Sequence, residues 1–145
     1  MNPKELQQKW RGNLLYTEKL LDAVPDGQWD LKPAEGTKTL LGQSSHVVGW
    51  LRTHSRFVTG REMKKMPLKT PEEVLAALRD FTEQLLAYLK TASAEELAEP
   101  VKVFYGKRSR EFVLAVMDNH LAHHRGQMIV YLRLLGVVPP GYRGW

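Results

Sequence analysis

The stretch from Ser109 to Leu135 most constrains how this chain can fold. Val113, Val116 and Met117, then Val130, Tyr131, Leu134 and Leu135, recur at helical spacing, and the run stops at Gly136 with Pro139-Pro140 beyond it. A glycine just past the last periodic residue, followed by proline, is the ordinary punctuation of a helix C-terminus. An amphipathic helix must bury its apolar stripe against another element. The rest of the chain therefore has to supply helical partners.

Three further segments qualify. The first opens at Asn2-Pro3, an N-cap followed by proline at the first helical position, and carries Leu6, Trp10, Leu14, Leu21 and Val24 before Pro25-Asp26-Gly27 ends it. Residues 25–38 read as a polar connection containing Trp29 and Pro33. The second helix begins near Thr37 or Thr39 and runs through Leu40, Val47, Trp50, Leu51 and Val58 to Gly60. The third starts at Thr70-Pro71-Glu72-Glu73, a capping box with proline at the first position, and continues through Val74, Leu78, Phe81, Leu85 and Leu89. A short helical turn over Ser93 to Ala98 and a small irregular hairpin over Val101 to Arg108 precede the last helix. Four long amphipathic helices predict an all-α four-helix bundle, with residues 1–145 forming a single domain.

Composition narrows the chemistry. At 145 residues with 43% hydrophobic content, the chain suits a globular domain. There is no cysteine, so disulfides and thiolate nucleophiles or ligands are excluded. Any transition metal must be held by His, Asp or Glu. No apolar run approaches the ~18 residues of a membrane span, and Met1-Asn2-Pro3-Lys4-Glu5 lacks a signal-peptide core. A cytoplasmic location without membrane association is the expectation. The formal charge of +5 raises the question of nucleic acid. The basic residues are scattered, however, with only Lys64-Lys65 and Lys107-Arg108 plus Arg110 grouped, which favours a solvated basic surface.

Three of the five histidines lie in Asn119-His120-Leu121-Ala122-His123-His124-Arg125-Gly126-Gln127. His120 and His124 are one turn apart and fall within the apolar face of the last helix, so their rings can converge on one point. Buried imidazoles need partners for two polar nitrogens each, and one metal ion satisfies both rings at once. His123 falls toward the edge. The other two histidines, His46 and His54, lie on the second helix, and the question is whether one of them closes a three-histidine site. Helical spacing alone leans weakly to His54, which lies nearer the apolar face, while His46 sits beside Trp50 and Phe57. Arg125 and Gln127 read either as surface polar residues or as supports for a ligand ring. Trp50, Phe57 and Tyr131 read either as core or as lining of a substrate pocket. No catalytic residue stands out. Asp118 points away from the His120/His124 face, Glu62, Glu72 and Glu73 lie near helix ends, and Ser44 or Ser45 beside His46 is weak support for a nucleophile.

Four segments resemble the DinB/YfiT-like superfamily of metal-binding four-helix bundles. They are Pro25-Asp26-Gly27-Gln28-Trp29 with Lys32-Pro33, then Leu40-Leu41-Gly42-Gln43-Ser44-Ser45-His46-Val47, then Val103 to Ser109, and finally His120 to Gln127 leading to Tyr131-Leu132-Arg133 and Gly136. The last is the most specific. The resemblance implies that the metal ligands are His46, His120 and His124, leaving His54 as a pocket or surface histidine and His123 as a non-ligand. It also implies a homodimer and a metal-dependent activity on a small-molecule substrate, either hydrolysis or transfer of a low-molecular-weight thiol. Three neutral imidazoles on a divalent transition metal (zinc, nickel or iron) leave a position open, which is the catalytic rather than the structural pattern. The alternative is a non-catalytic metal-binding stress-response protein.

Overall fold

The computed structural model describes residues 1–143. Its elements are α1 (Pro3–Asp22), α2 (Leu40–Thr59), α3 (Pro71–Thr91), α4 (Ala94–Ala98), β1 (Pro100–Val103), β2 (Gly106–Ser109) and α5 (Arg110–Leu134). The architecture is the all-α four-helix bundle that the periodicity predicts, with α1, α2, α3 and α5 as its long members.

Local chemistry fixes the helix ends. Asn2 Oδ1 accepts from the Glu5 amide at 2.9 Å while Glu5 Oε2 accepts from the Asn2 amide at 3.1 Å. Thr70 and Glu73 repeat this reciprocal pair at the head of α3. Each such cap contributes about 1 kcal/mol. Of the two candidate starts for α2, Thr39 is the cap, and its hydroxyl accepts from Gly42 N–H at 3.0 Å. Thr37 instead bonds back to Ala34 within the preceding turn. Gly60 ends α2 at φ 70°, a left-handed conformation that glycine adopts without penalty.

Around the bundle the order is α1, α3, α2, α5. The main contacts join α2 to α5, α1 to α3 and α2 to α3, with lighter packing between α1 and α5. Consecutive α1 and α2 therefore stand diagonally, and residues 23–39 cross between them. That connection is more than a polar linker. Trp29 is buried in it, and its carbonyl and that of Leu31 accept from Leu41 and Leu40 N–H. Trp10 meets Phe81 edge to face at 6.4 Å in the core between α1 and α3. Arg52 is buried too, and its guanidinium donates to Ala77 O, Lys64 O and Asp80.

The hairpin pairs Pro100 with Ser109 and Val103 with Gly106, leaving Phe104-Tyr105 at its turn. It lies against α2 and α5, and Phe104 is 78% exposed. No described helix is long and apolar enough to cross a membrane.

One expectation about α5 needs correcting. The buried stripe runs through Met117, Leu121, His124, Met128 and Tyr131, flanked by Leu114, Arg125 and Leu132. Val130 and Leu134, expected in the core-facing set, are 51% and 59% exposed. The helix is turned by about a quarter turn from the face expected, at ~100° per residue. The segment is apolar on more than one side, and the positions of α2 and α1 choose which side is covered.

Candidate metal centre

That rotation leaves His124 inside the stripe and His120 at its margin, facing α2. His124 is buried, His120 half-buried and His46 exposed, so the three step outward from the core between α2 and α5. Their rings converge. Centroid separations are 4.4 Å for His120–His124, 4.7 Å for His46–His124 and 5.3 Å for His46–His120. One nitrogen from each lies within 4.8 Å of the other two, and among the described residues these three form the one such cluster of potential ligands. His54 is not in it, so the structure brings together the set that the family resemblance implies rather than the one helical spacing leaned to.

The donor set fits a cation. His120 Nε2 and His124 Nε2 lie 3.1 Å apart. Two ring nitrogens that close need a proton or a cation between them. Nitrogens about 2.0–2.1 Å from a shared zinc sit roughly 3 Å from one another. Burial and mutual repulsion favour the neutral form of His120 and His124, the form a metal requires. Burial, with repulsion from His124, His46 and other histidines, pushes the His120 pKa down to about 4. Burial first, then His46 and His123, lowers that of His124.

Trp50 organises the outer side. It stacks on His120 with centroids 3.9 Å apart and on His54 with centroids 3.6 Å apart. His54 is only 8% exposed, so it is a buried histidine rather than a surface one. Its Nδ1–H donates to Trp50 O at 2.9 Å, which leaves Nε2 as a buried acceptor without a protein partner among the described residues. Burial lowers its pKa, against the opposing effect of the Trp50 bond. Phe104 closes the far end of the stack, edge-on to His54 at 5.9 Å.

Other candidates find different partners. Arg125 is buried and turned to α1, over the Tyr16 ring at 4.9 Å and 3.3 Å from Asn13 O, so it neither lies on the surface nor supports a ligand. Asp118 faces α1 as well, bonded to Asn13 and Lys9. Ser44 and Ser45 donate to Leu40 O and Leu68 O, so neither hydroxyl is poised as a nucleophile. Tyr131 is core, its hydroxyl donating to Lys38 O at 2.5 Å, while Trp50 and Phe57 stay half-buried beside the histidines. A cavity of about 520 Å³ opens on another flank of α2, lined by Arg52, Arg56 and Lys64, and includes none of the three histidines.

The residue that sequence reasoning passed over is Gln43. It is buried, and its amide meets His124 Nδ1 at 2.8 Å. It also contacts the Gln127 amide, whose other end lies 3.0 Å from His123 Nε2. Its position three residues before His46, on the same side of α2, is the signal that could have found it.

Comparison with known proteins places the fold among relatives. The family model of the DinB superfamily matches residues 11–128. The fold is similar to that of a DinB-like protein, YjoA, from Bacillus subtilis, at 17% identity and TM-score 0.80, covering 97% of this chain and 99% of that one. It is equally similar to a DinB-like protein from Bacillus cereus ATCC 10987, at 24% identity and TM-score 0.81, covering 97% of each chain. YfiT from Bacillus subtilis, described as a probable metal-dependent hydrolase with an unusual four-helix bundle topology, aligns at 16% identity and TM-score 0.71 over 94% of this chain and 89% of its own. No curated protein matches the chain by sequence. The family model runs from within α1 to just past His124 and so takes in all three clustered histidines: the chain belongs to the DinB superfamily.

Proposed function

We propose that His46, His120 and His124 hold one divalent transition metal (zinc, nickel or iron) and that the chain is a metal-dependent enzyme acting on a small molecule. The observation that carries this reading is the convergence of three imidazoles with no fourth potential protein ligand in the cluster among the described residues. Such an ion supplies Lewis-acid charge that favours the ionised form of a water or thiol near neutral pH. The residues around it supply the rest. Trp50 holds His120 by its ring face, and half-buried Trp50 and Phe57 offer an apolar wall to a substrate. The chain has no cysteine, so in a thiol transfer the thiol must arrive as a low-molecular-weight cosubstrate. The net charge of +5 would attract an anionic one. Hydrolysis is the companion reading, favoured by the description of YfiT.

The experiment is a panel run on Zn²⁺-, Ni²⁺- and Fe²⁺-loaded protein. One arm pairs low-molecular-weight thiols with a model electrophile, and the other uses ester and amide substrates. A metal-dependent rate that disappears in His120→Ala is expected, with thiol conjugation ahead of hydrolysis. Stoichiometric metal binding with no rate in either arm would replace the enzyme by a non-catalytic metal-binding protein. The same reading includes a homodimer packed through helix faces.

A further inference from the structure

We propose that Gln43 sets the tautomer of His124, with Gln127 and His123 behind it in one hydrogen-bonded chain, and so acts as the positioning residue of the metal centre. The inference rests on the metal reading above.

A neutral imidazole carries one N–H and one lone pair. His124 Nε2 is the nitrogen facing His120. To offer that lone pair to a cation, His124 must carry its proton on Nδ1, and a buried Nδ1–H needs an acceptor. The side chain at Nδ1 is Gln43, at 2.8 Å. The two ends of a glutamine amide have the same shape but opposite roles, so turning the amide over exchanges donor for acceptor without repacking.

The chain therefore has two self-consistent polarities. In one, Gln43 Nε2 donates to Nδ1 and to Gln127 Oε1, and Gln127 Nε2 donates to His123 Nε2. The proton of His124 then sits on Nε2, in the gap between the two rings. In the other, both amides are reversed. His124 Nδ1–H and the Gln127 amide donate to Gln43 Oε1, and His123 Nε2–H donates to Gln127 Oε1. Only the second leaves the His124 lone pair directed at the metal position. Gln43 is buried and held from both sides, so it imposes whichever polarity the chain adopts. A neutral amide can serve both states and leaves the charge of the cation undiminished. His120 has no such arrangement, because its Nδ1 is buried without a hydrogen-bond partner among the described residues. His124 is thus the ligand the protein orients through hydrogen bonds, and His120 is the one it orients by stacking.

The test compares Zn²⁺ affinity, by competition with a chelator, in the full-length wild type, Gln43→Met and Gln43→Glu. Methionine fills a similar space with only a weak thioether acceptor, and glutamate keeps a strong oxygen acceptor. Gln43→Met is expected to lose about 10–100-fold in affinity, the usual cost of removing a hydrogen-bond partner from a ligating histidine, with glutamate restoring most of it. Ring ¹⁵N chemical shifts of the Zn²⁺-loaded wild type provide a second readout that needs no variant to fold. They should show His124 protonated at Nδ1 and metallated at Nε2, and His123 protonated at Nε2. A wild type that binds no Zn²⁺ overturns the metal reading and this inference together. A wild type that binds Zn²⁺ through the three histidines, with Gln43→Met within twofold of it or His124 metallated at Nδ1, overturns the inference and leaves the metal reading standing.

Discussion

Trp50 lies flat against His120, with ring centroids 3.9 Å apart and planes 20° apart, and holds His54 in the same way at 3.6 Å and 17°. One indole thus links a clustered histidine to a histidine outside the cluster. It also restricts the orientation of the His120 ring, whose Nδ1 has no hydrogen-bond partner among the described residues. Trp50→Ala should remove both stacks, lower the unfolding free energy by about 2 kcal/mol and weaken metal binding. The figure is discounted from the ~3–5 kcal/mol of a fully buried aromatic because Trp50 is half-buried. Trp50→Phe should keep most of both properties. Urea unfolding alongside chelator competition checks this, and unchanged metal affinity in the alanine variant would show that stacking does not position His120.

Metal content across single alanine variants separates the five histidines. His46→Ala, His120→Ala and His124→Ala should each cut bound metal from about one per chain to a small fraction. His54→Ala and His123→Ala should keep about one, because neither belongs to the convergent cluster. Elemental analysis of protein purified without a histidine tag is the measurement. Loss of metal in His54→Ala with retention in His46→Ala would reverse the ligand assignment.

Acid should destabilise the fold before the carboxylates titrate. His54, His120 and His124 all have pKa values below the usual 6.5, chiefly through burial, with His120 at about 4. Over that interval the unfolded chain binds more protons than the folded one, so stability rises with pH. The histidine contribution is therefore complete above about 6.5 and is lost as pH falls toward about 4. Urea midpoints measured in chelator should drop across pH 6.5 to 4.5, and His120→Asn should flatten part of that slope. A wild-type midpoint that stays level through the window would contradict the depressed values.

Association should involve α5. Phe112, Val130 and Leu134 fall on one side of that helix and are all exposed in the single chain. Light scattering at micromolar concentration is expected to give twice the chain mass, and Val130→Glu with Leu134→Glu should shift it toward the monomer. A wild-type monomer under those conditions would remove the homodimer from the functional reading.

Much of the fold was legible before any coordinates. The reciprocal caps, the terminal glycines and the hairpin lead-in are short-range signals, and Thr70 with Glu73 or Gly60 can be read from a few neighbouring residues. Helical spacing groups Val130 and Leu134 with the core because a local pattern counts apolar residues, while burial depends on which neighbour covers them. Arg125 is neither the surface residue nor the ligand support that its sequence suggests, because no window of sequence places Tyr16 beneath it.

The candidate site divides along the same line. The sequence by itself determined that His120 and His124 share one helical face and that no thiolate competes with nitrogen or oxygen ligands, because the first is a matter of spacing within one helix and the second of composition. Spacing within α2 leans weakly to His54, and only the resemblance to a family favours His46. Tertiary structure alone decided that His46 meets the pair, that His54 stands behind Trp50, and that Gln43 reaches His124. Those outcomes depend on how far each helix is rotated about its own axis and which helix it faces, and that relation is set by packing the whole bundle rather than by any segment within it.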